Sequence, residues 1–206
     1  NSVLDFRNSE YNTNKNKKIR SVFFKEAERN KKNNILEKLP VNCFRLNFIN
    51  KAFPEAKFIV IKRNPLEVAA SIKEKIGKGN WYGLNENKLR LLIEYAKSNN
   101  IETKDFLKTD FNKGLLEWRL SNIAISKFFN ESNKDFFLIN YSKLTLNPKE
   151  ILTEAFNFLE IKYNEDALIN CCKLVYKNLR NKENIKNKIQ KNQKEFLISE
   201  GFFQEK

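Results

Sequence analysis

AKFIVIKRNPLEVAASI (56–72) is the stretch on which the fold turns. Its first half, KFIVIK (57–62), is a short run of β-branched and aromatic residues set between Pro54 and Pro65, the composition of a buried strand. Its second half opens a helix. Asn64 suits the N-cap, Pro65 suits N1 with its fixed φ, and Glu67 at N3 closes a capping-box-like arrangement, so a helix is expected over 65–76. A turn of one or two residues between strand and helix is the spacing of an α/β unit.

Working outward, DFFLIN (135–140) reads as a second strand, and helices are expected at 84–98 and about 112–131, the latter with Leu116, Leu120, Ile123 and Phe128 facing inward. NPKEILTEAFNFLEI (147–161) repeats the Asn-Pro start and the helical apolar spacing at Ile151, Leu152, Ala155, Phe156 and Leu159. Upstream, SVFFKEAERNKKNNILEK (21–38) can be helical, and Val41, Phe44, Phe48, Ile49 and Ala52 share one face of a helix ending near Phe53-Pro54. GKGNWYG (77–83) is a loop. Residues 178–190 read as a basic amphipathic helix, and the polar, Asn/Lys-rich residues 1–20 as a flexible or peripheral segment before a single domain spanning 21–206. Two strands separated by several helices, with no hairpin signal, give an α/β class: a parallel sheet flanked by helices.

Ligands of open parallel sheets bind beyond the carboxyl ends of the strands, which is where Arg63 falls. Its guanidinium offers a planar fork of donors to a phosphate, and Ser71, two turns into the next helix, adds a hydroxyl, with Ala69 and Ala70 leaving the approach uncrowded. The pair reads as a clamp for a phosphate monoester. An Arg-to-Ser spacing of eight is common by chance, and a strand-end arginine in a surface ion pair fits the same residues.

Composition bounds the function. Lys plus Arg number 39 against 25 Asp plus Glu, a net charge of +14, which favours phosphate-bearing or sulfated partners. Only 8 of those cations are Arg, however, and 31 residues are Asn, so AT-rich coding bias accounts for the balance as well as a selected surface does. No dense Arg/Lys block appears, and nucleic acid is not an expected partner. With no histidine, Ser-His-Asp and Cys-His mechanisms are excluded within this sequence. Cys43, Cys171 and Cys172 lack metal-site spacing, so no metal is expected, and free thiols fit a reducing, cytoplasmic setting. No run is long and apolar enough for a membrane span. The chain contains no methionine and opens on Asn1, which leads to the expectation of a fragment or processed form.

From Glu37, EKLPVNCFRLNFINKAFPEAKFIVIKRNPLEVAASI resembles the sulfotransferases that use 3′-phosphoadenosine 5′-phosphosulfate (PAPS), nearest to the bacterial and tyrosylprotein members. The resemblance resumes at EWRLSN (117–122), at INYSKLTLNPKEILTEAFNFLEI (139–161) and at NEDAL (164–168), and covers about residues 35–170 in order. It implies a P-loop-NTPase-like parallel sheet. It also implies that Arg63 and Ser71 bind the donor's 3′-phosphate, that Tyr141 lies by the adenine, and that Lys38 stabilises charge on the transferring sulfuryl group. Two plainer readings stand beside these: an aromatic capping a strand end for Tyr141, and a solvated helix-end lysine for Lys38, where Leu39 replaces the family's usual threonine.

The reaction implied is in-line transfer from PAPS to a hydroxyl or amine of a small-molecule, carbohydrate, lipid or peptide-tyrosine acceptor, releasing 3′-phosphoadenosine 5′-phosphate (PAP). The family's glycine-bearing 5′-phosphosulfate loop has no counterpart, since no glycine precedes Gly77. The expectation is therefore a sulfotransferase fold incomplete at its N-terminus, with the catalytic base upstream and Glu37 as a conceivable substitute. A noncatalytic sulfotransferase-like binding module is the alternative.

Overall fold

A computed structural model describes residues 4, 13–79 and 81–177. In chain order these form α1 (Thr13–Arg29), α2 (Leu46–Ala52), β1 (Phe58–Lys62), α3 (Pro65–Gly77), α4 (Asn87–Ser98), α5 (Asp110–Glu131), β2 (Phe136–Asn140), α6 (Tyr141–Leu146), α7 (Pro148–Leu159) and α8 (Glu165–Lys177), with 3-10 turns at Pro40–Phe44, Leu84–Glu86 and Lys104–Leu107. The chain divides into two units. The first comprises residues up to Ala56, Asn80–Leu107 and Leu116–Lys134; the second comprises Lys57–Gly79, Lys108–Leu115 and the chain from Asp135 onward.

The second unit holds the sheet. β1 and β2 pair in parallel, in register from Phe58↔Phe136 to Lys62↔Asn140. Parallel strands need a long crossover, and here the helices between them supply it. α3 forms as the sequence predicts: the Asn64 side chain accepts from the Leu66 N–H at 2.9 Å, Pro65 sits in the first turn, and Leu66, Ala69 and Ile72 bury one face. After β2, Asn140 accepts from the N–H groups of Ser142 and Lys143 and starts α6. Asn147-Pro148 then opens α7, which ends on Glu160 in the left-handed region (φ 56°). Phe158 of α7 stacks on Phe137 of β2 with centroids 5.8 Å apart, and Lys57, immediately before β1, donates to the Phe158 carbonyl and pairs with Glu160, each at 2.9 Å.

Ala69 plays a different part from the one expected of it. It is fully buried against Gly114 of α5, where an added Cβ would lie 2.9 Å from the Ala69 Cα and 3.0 Å from its carbonyl oxygen. Its small size lets two helices meet rather than clearing a path for an anion. Gly114→Ala should therefore destabilise the protein by about 1–3 kcal/mol despite alanine's better helix propensity, because backbone meets backbone and no side chain can move aside. Urea unfolding checks this; a rise in midpoint would contradict the close approach.

The first unit is helical. Arg20 of α1 donates to the Ala52 carbonyl at 2.7 Å, pairs with Glu55 at 2.8 Å and lies over the Phe53 ring. Phe44 meets Tyr95 edge-on at 5.0 Å, and Leu89, Leu92 and Ala96 of α4 fill the core on one helical face, with Leu116, Leu120 and Phe128 of α5 buried too.

Boundaries moved where local geometry overrides period. α1 runs from Thr13 to Arg29 rather than over 21–38: eight residues assigned to the peripheral segment are helical, and the helix stops where Lys31 turns left-handed (φ 52°) and the Asn30 amide bonds back to Glu26. The stretch from Val41 splits into a 3-10 turn and α2 because Arg45 has non-helical dihedrals. α4 starts at Asn87, since Asn85 and Glu86 both have positive φ. The amphipathic helix expected over 178–190 lies outside the described residues.

Candidate functional site

The parallel register builds the site. Lys62 pairs with Asn140, so the next residue on each strand, Arg63 and Tyr141, emerges side by side at the carboxyl edge of the sheet. The Arg63 Cζ lies 4.6 Å from the centre of the Tyr141 ring. A guanidinium over an aromatic face is held by the ring quadrupole, an interaction of about 1 kcal/mol at a partly exposed site, and is thereby oriented. Arg63 Nε also donates to Glu67 Oε2 at 3.3 Å, both side chains being about a quarter exposed. Glu67 thus anchors Arg63 instead of only serving the helix cap for which its N3 position suits it; the spacing of four along the chain was the available signal.

Ser71 stands on α3 one turn beyond Glu67, partly buried, so Glu67 and Ser71 share one face of the helix. An arginine with its edge and plane both fixed, next to a capped helix start, presents charge-assisted donors suited to a phosphate. Among the described residues no group of His, Cys, Asp or Glu could hold a metal ion.

Lys38 belongs to the first unit. It is exposed on a segment without helix or strand between α1 and the Pro40 turn, not at a helix end, and its neighbours Leu36 and Leu39 are exposed as well. Glu37 accepts from the Asn42 amide at a long 3.4 Å.

Sequence reading missed a buried ionic network in that unit. Glu117, 6% exposed, accepts from Trp81 Nε1 at 3.0 Å and from Lys88 Nζ at 2.5 Å, and the Lys88 ammonium lies 4.2 Å from the centre of the Trp81 ring. A single acidic residue between the inward-facing Leu116 and Leu120 was the only sequence cue. Nearby, desolvation pushes the Cys43 thiol up from 9.0 to about 11, and the Glu117 carboxylate adds to the rise against a hydrogen bond with Ser121.

A neutral Cys43 thiol follows at physiological pH, so maleimide should label Cys171 and Cys172 well before Cys43 at pH 7.5. Because the folded pKa lies above the ordinary one, Cys43's contribution to stability is whole below pH 9.0 and is lost as the pH rises towards about 11. Equal labelling of all three thiols in the native state would contradict this environment.

The family model described as "Sulfotransferase family" matches residues 7–165 of the chain. Searches of curated proteins and of solved structures each found no match. No helix among the described residues is long and apolar enough to cross a membrane.

Proposed function

Because the chain belongs to the sulfotransferase family, we propose that it moves a sulfuryl group from PAPS to a hydroxyl or amine of a small-molecule acceptor. Arg63 and Ser71 take the donor's 3′-phosphate, and Tyr141 sets the plane of Arg63 and borders the adenine. The observation that carries this reading is the pairing of Arg63 with Tyr141 at adjacent strand ends, 4.6 Å from guanidinium to ring. The residues present fit the group: a planar cation beside a helix start matches a phosphate monoester, and an aromatic ring at the same edge matches a base.

In this account the protein works by positioning and by cationic stabilisation, since sulfuryl transfer, like phosphoryl transfer, moves charge onto oxygens between two in-line groups. Lys38 supplies a positive charge to the sulfuryl oxygens.

The experiment is a titration with PAP by calorimetry, followed by transfer from radiolabelled PAPS to a panel of alcohols, sugars, phenols and amines. Saturable PAP binding with transfer supports the reading. PAP binding without transfer to any acceptor supports a noncatalytic binding module, and no PAP binding overturns the donor site.

A further inference from the structure

In the first unit, every residue from Glu28 to Pro40 is exposed. The chain leaves α1 where Lys31 turns left-handed (φ 52°) and the Lys32 N–H closes on the Ala27 carbonyl at 2.9 Å, and it forms neither helix nor strand from Lys31 to Leu39.

Two kinds of side chain share this segment. Ile35, Leu36 and Leu39 show 45%, 86% and 53% of their surface. One exposed leucine is ordinary, but three aliphatics within five residues of a wholly exposed segment mark a contact surface. Basic residues precede and flank them: Arg29, Lys31, Lys32 and Lys38 stand against Glu28 and Glu37, a positive balance. Among the described residues Lys31 and Lys32 have no ion pair, and Arg29 meets Glu26 only at 3.7 Å with both side chains largely exposed. Four residues separate Lys32 from Leu36, at most about 14 Å of chain, so the cations and the aliphatics can meet one surface together.

That combination selects the partner. A surface that is anionic outside and apolar just beneath satisfies both kinds of side chain, with ammonium groups among lipid phosphates and aliphatic groups at the headgroup boundary. Nucleic acid supplies the charge, but single strands are held by stacking on aromatic rings, and residues 25–40 contain no aromatic residue.

We propose that residues 29–39 form a peripheral attachment site for an anionic lipid bilayer, with Lys31 and Lys32 meeting lipid phosphates and Ile35 and Leu36 entering the headgroup boundary. The attachment is reversible, resting on a few charges and a few aliphatic side chains. It goes beyond the sulfuryl-transfer reading and leaves Lys38 out of its test.

The full chain is floated with vesicles of phosphatidylcholine alone and of equimolar phosphatidylcholine and phosphatidylglycerol. The expected result is binding to the anionic vesicles only, released by high salt, and weakened about tenfold or more both by Lys31→Glu with Lys32→Glu and by Ile35→Ser with Leu36→Ser. All four positions are exposed, so the variants should fold, which circular dichroism checks. Because the chain carries a net charge of +14, Lys162→Glu with Lys173→Glu, two exposed lysines of the second unit, serves as the control of equal charge and should change binding less than about twofold. In Leu36→Trp, emission should shift to the blue with anionic vesicles beyond any change in the unmutated chain.

No binding to anionic vesicles overturns the attachment site. An equal loss in the control pair assigns the binding to net charge and overturns it too, as does full binding by Ile35→Ser with Leu36→Ser. A short single-stranded DNA is the third probe: binding to it without binding to vesicles removes the bilayer as the partner.

Discussion

Arg63→Ala should weaken PAP binding by at least about 100-fold, or about 2.7 kcal/mol, the scale of losing charge-assisted bonds to a phosphate. The variant separates binding from folding. Arg63 is a quarter exposed, it pairs with Glu67 four residues along the chain, and partly exposed pairs of that kind contribute about 0.3–0.5 kcal/mol. The stack on Tyr141 adds a similar modest amount. Unfolding midpoints should thus shift little while the calorimetric affinity falls. Arg63→Lys should recover only part of the loss, because a point charge cannot reproduce the guanidinium's planar fork or its stack on the ring. An unchanged PAP affinity in Arg63→Ala would remove Arg63 from the donor site.

Glu117→Ala should lower stability by about 2–4 kcal/mol, since it strips two donors of their acceptor at once in a site that is 6% exposed. The range sits below that of fully buried pairs because the Lys88 side chain keeps 23% of its exposure and regains some hydration when freed. Glu117→Gln should cost less: an amide oxygen can still accept from Trp81 Nε1, while the charge opposite Lys88 is gone. Trp81 emission should shift in both variants, as the indole loses its charged acceptor. A midpoint within error of the unmutated protein for Glu117→Ala would show that the network contributes nothing to folding.

The parts that the sequence made legible were those governed by local chemistry. KFIVIK, the Asn64 cap and Pro65 fixed β1 and α3 to within a residue, because strand composition, capping and the proline ring act over a few positions and little in the tertiary structure opposes them. The same holds for β2 and for the Asn147-Pro148 start of α7. Legibility failed where one backbone angle decided an end. Lys31, Asn85 and Glu86 adopt positive φ without being glycine, so the helices bounded by them could not be trimmed from residue type.

The site follows the same division. Arg63 was placed at a strand end from pattern alone, but its contact with Tyr141 depends on a register linking residues 78 apart, which the parallel pairing supplies. Ala69 was read for what its smallness opens to a ligand; the structure uses that smallness for Gly114. Glu117 escaped because a buried charge is interpretable only through its partners, and Lys88 and Trp81 come from a different stretch of chain.

The donor site proposed at the carboxyl edge of β1 and β2 rests on recognition of a 3′-phosphate. The most direct measurement compares PAP with adenosine 5′-phosphate, identical but for that group, in calorimetric titrations of the unmutated chain at one salt concentration. The predicted result is PAP binding at least about 30-fold tighter, with the difference abolished by Arg63→Ala. Equal affinities for the two nucleotides in the unmutated chain would contradict it.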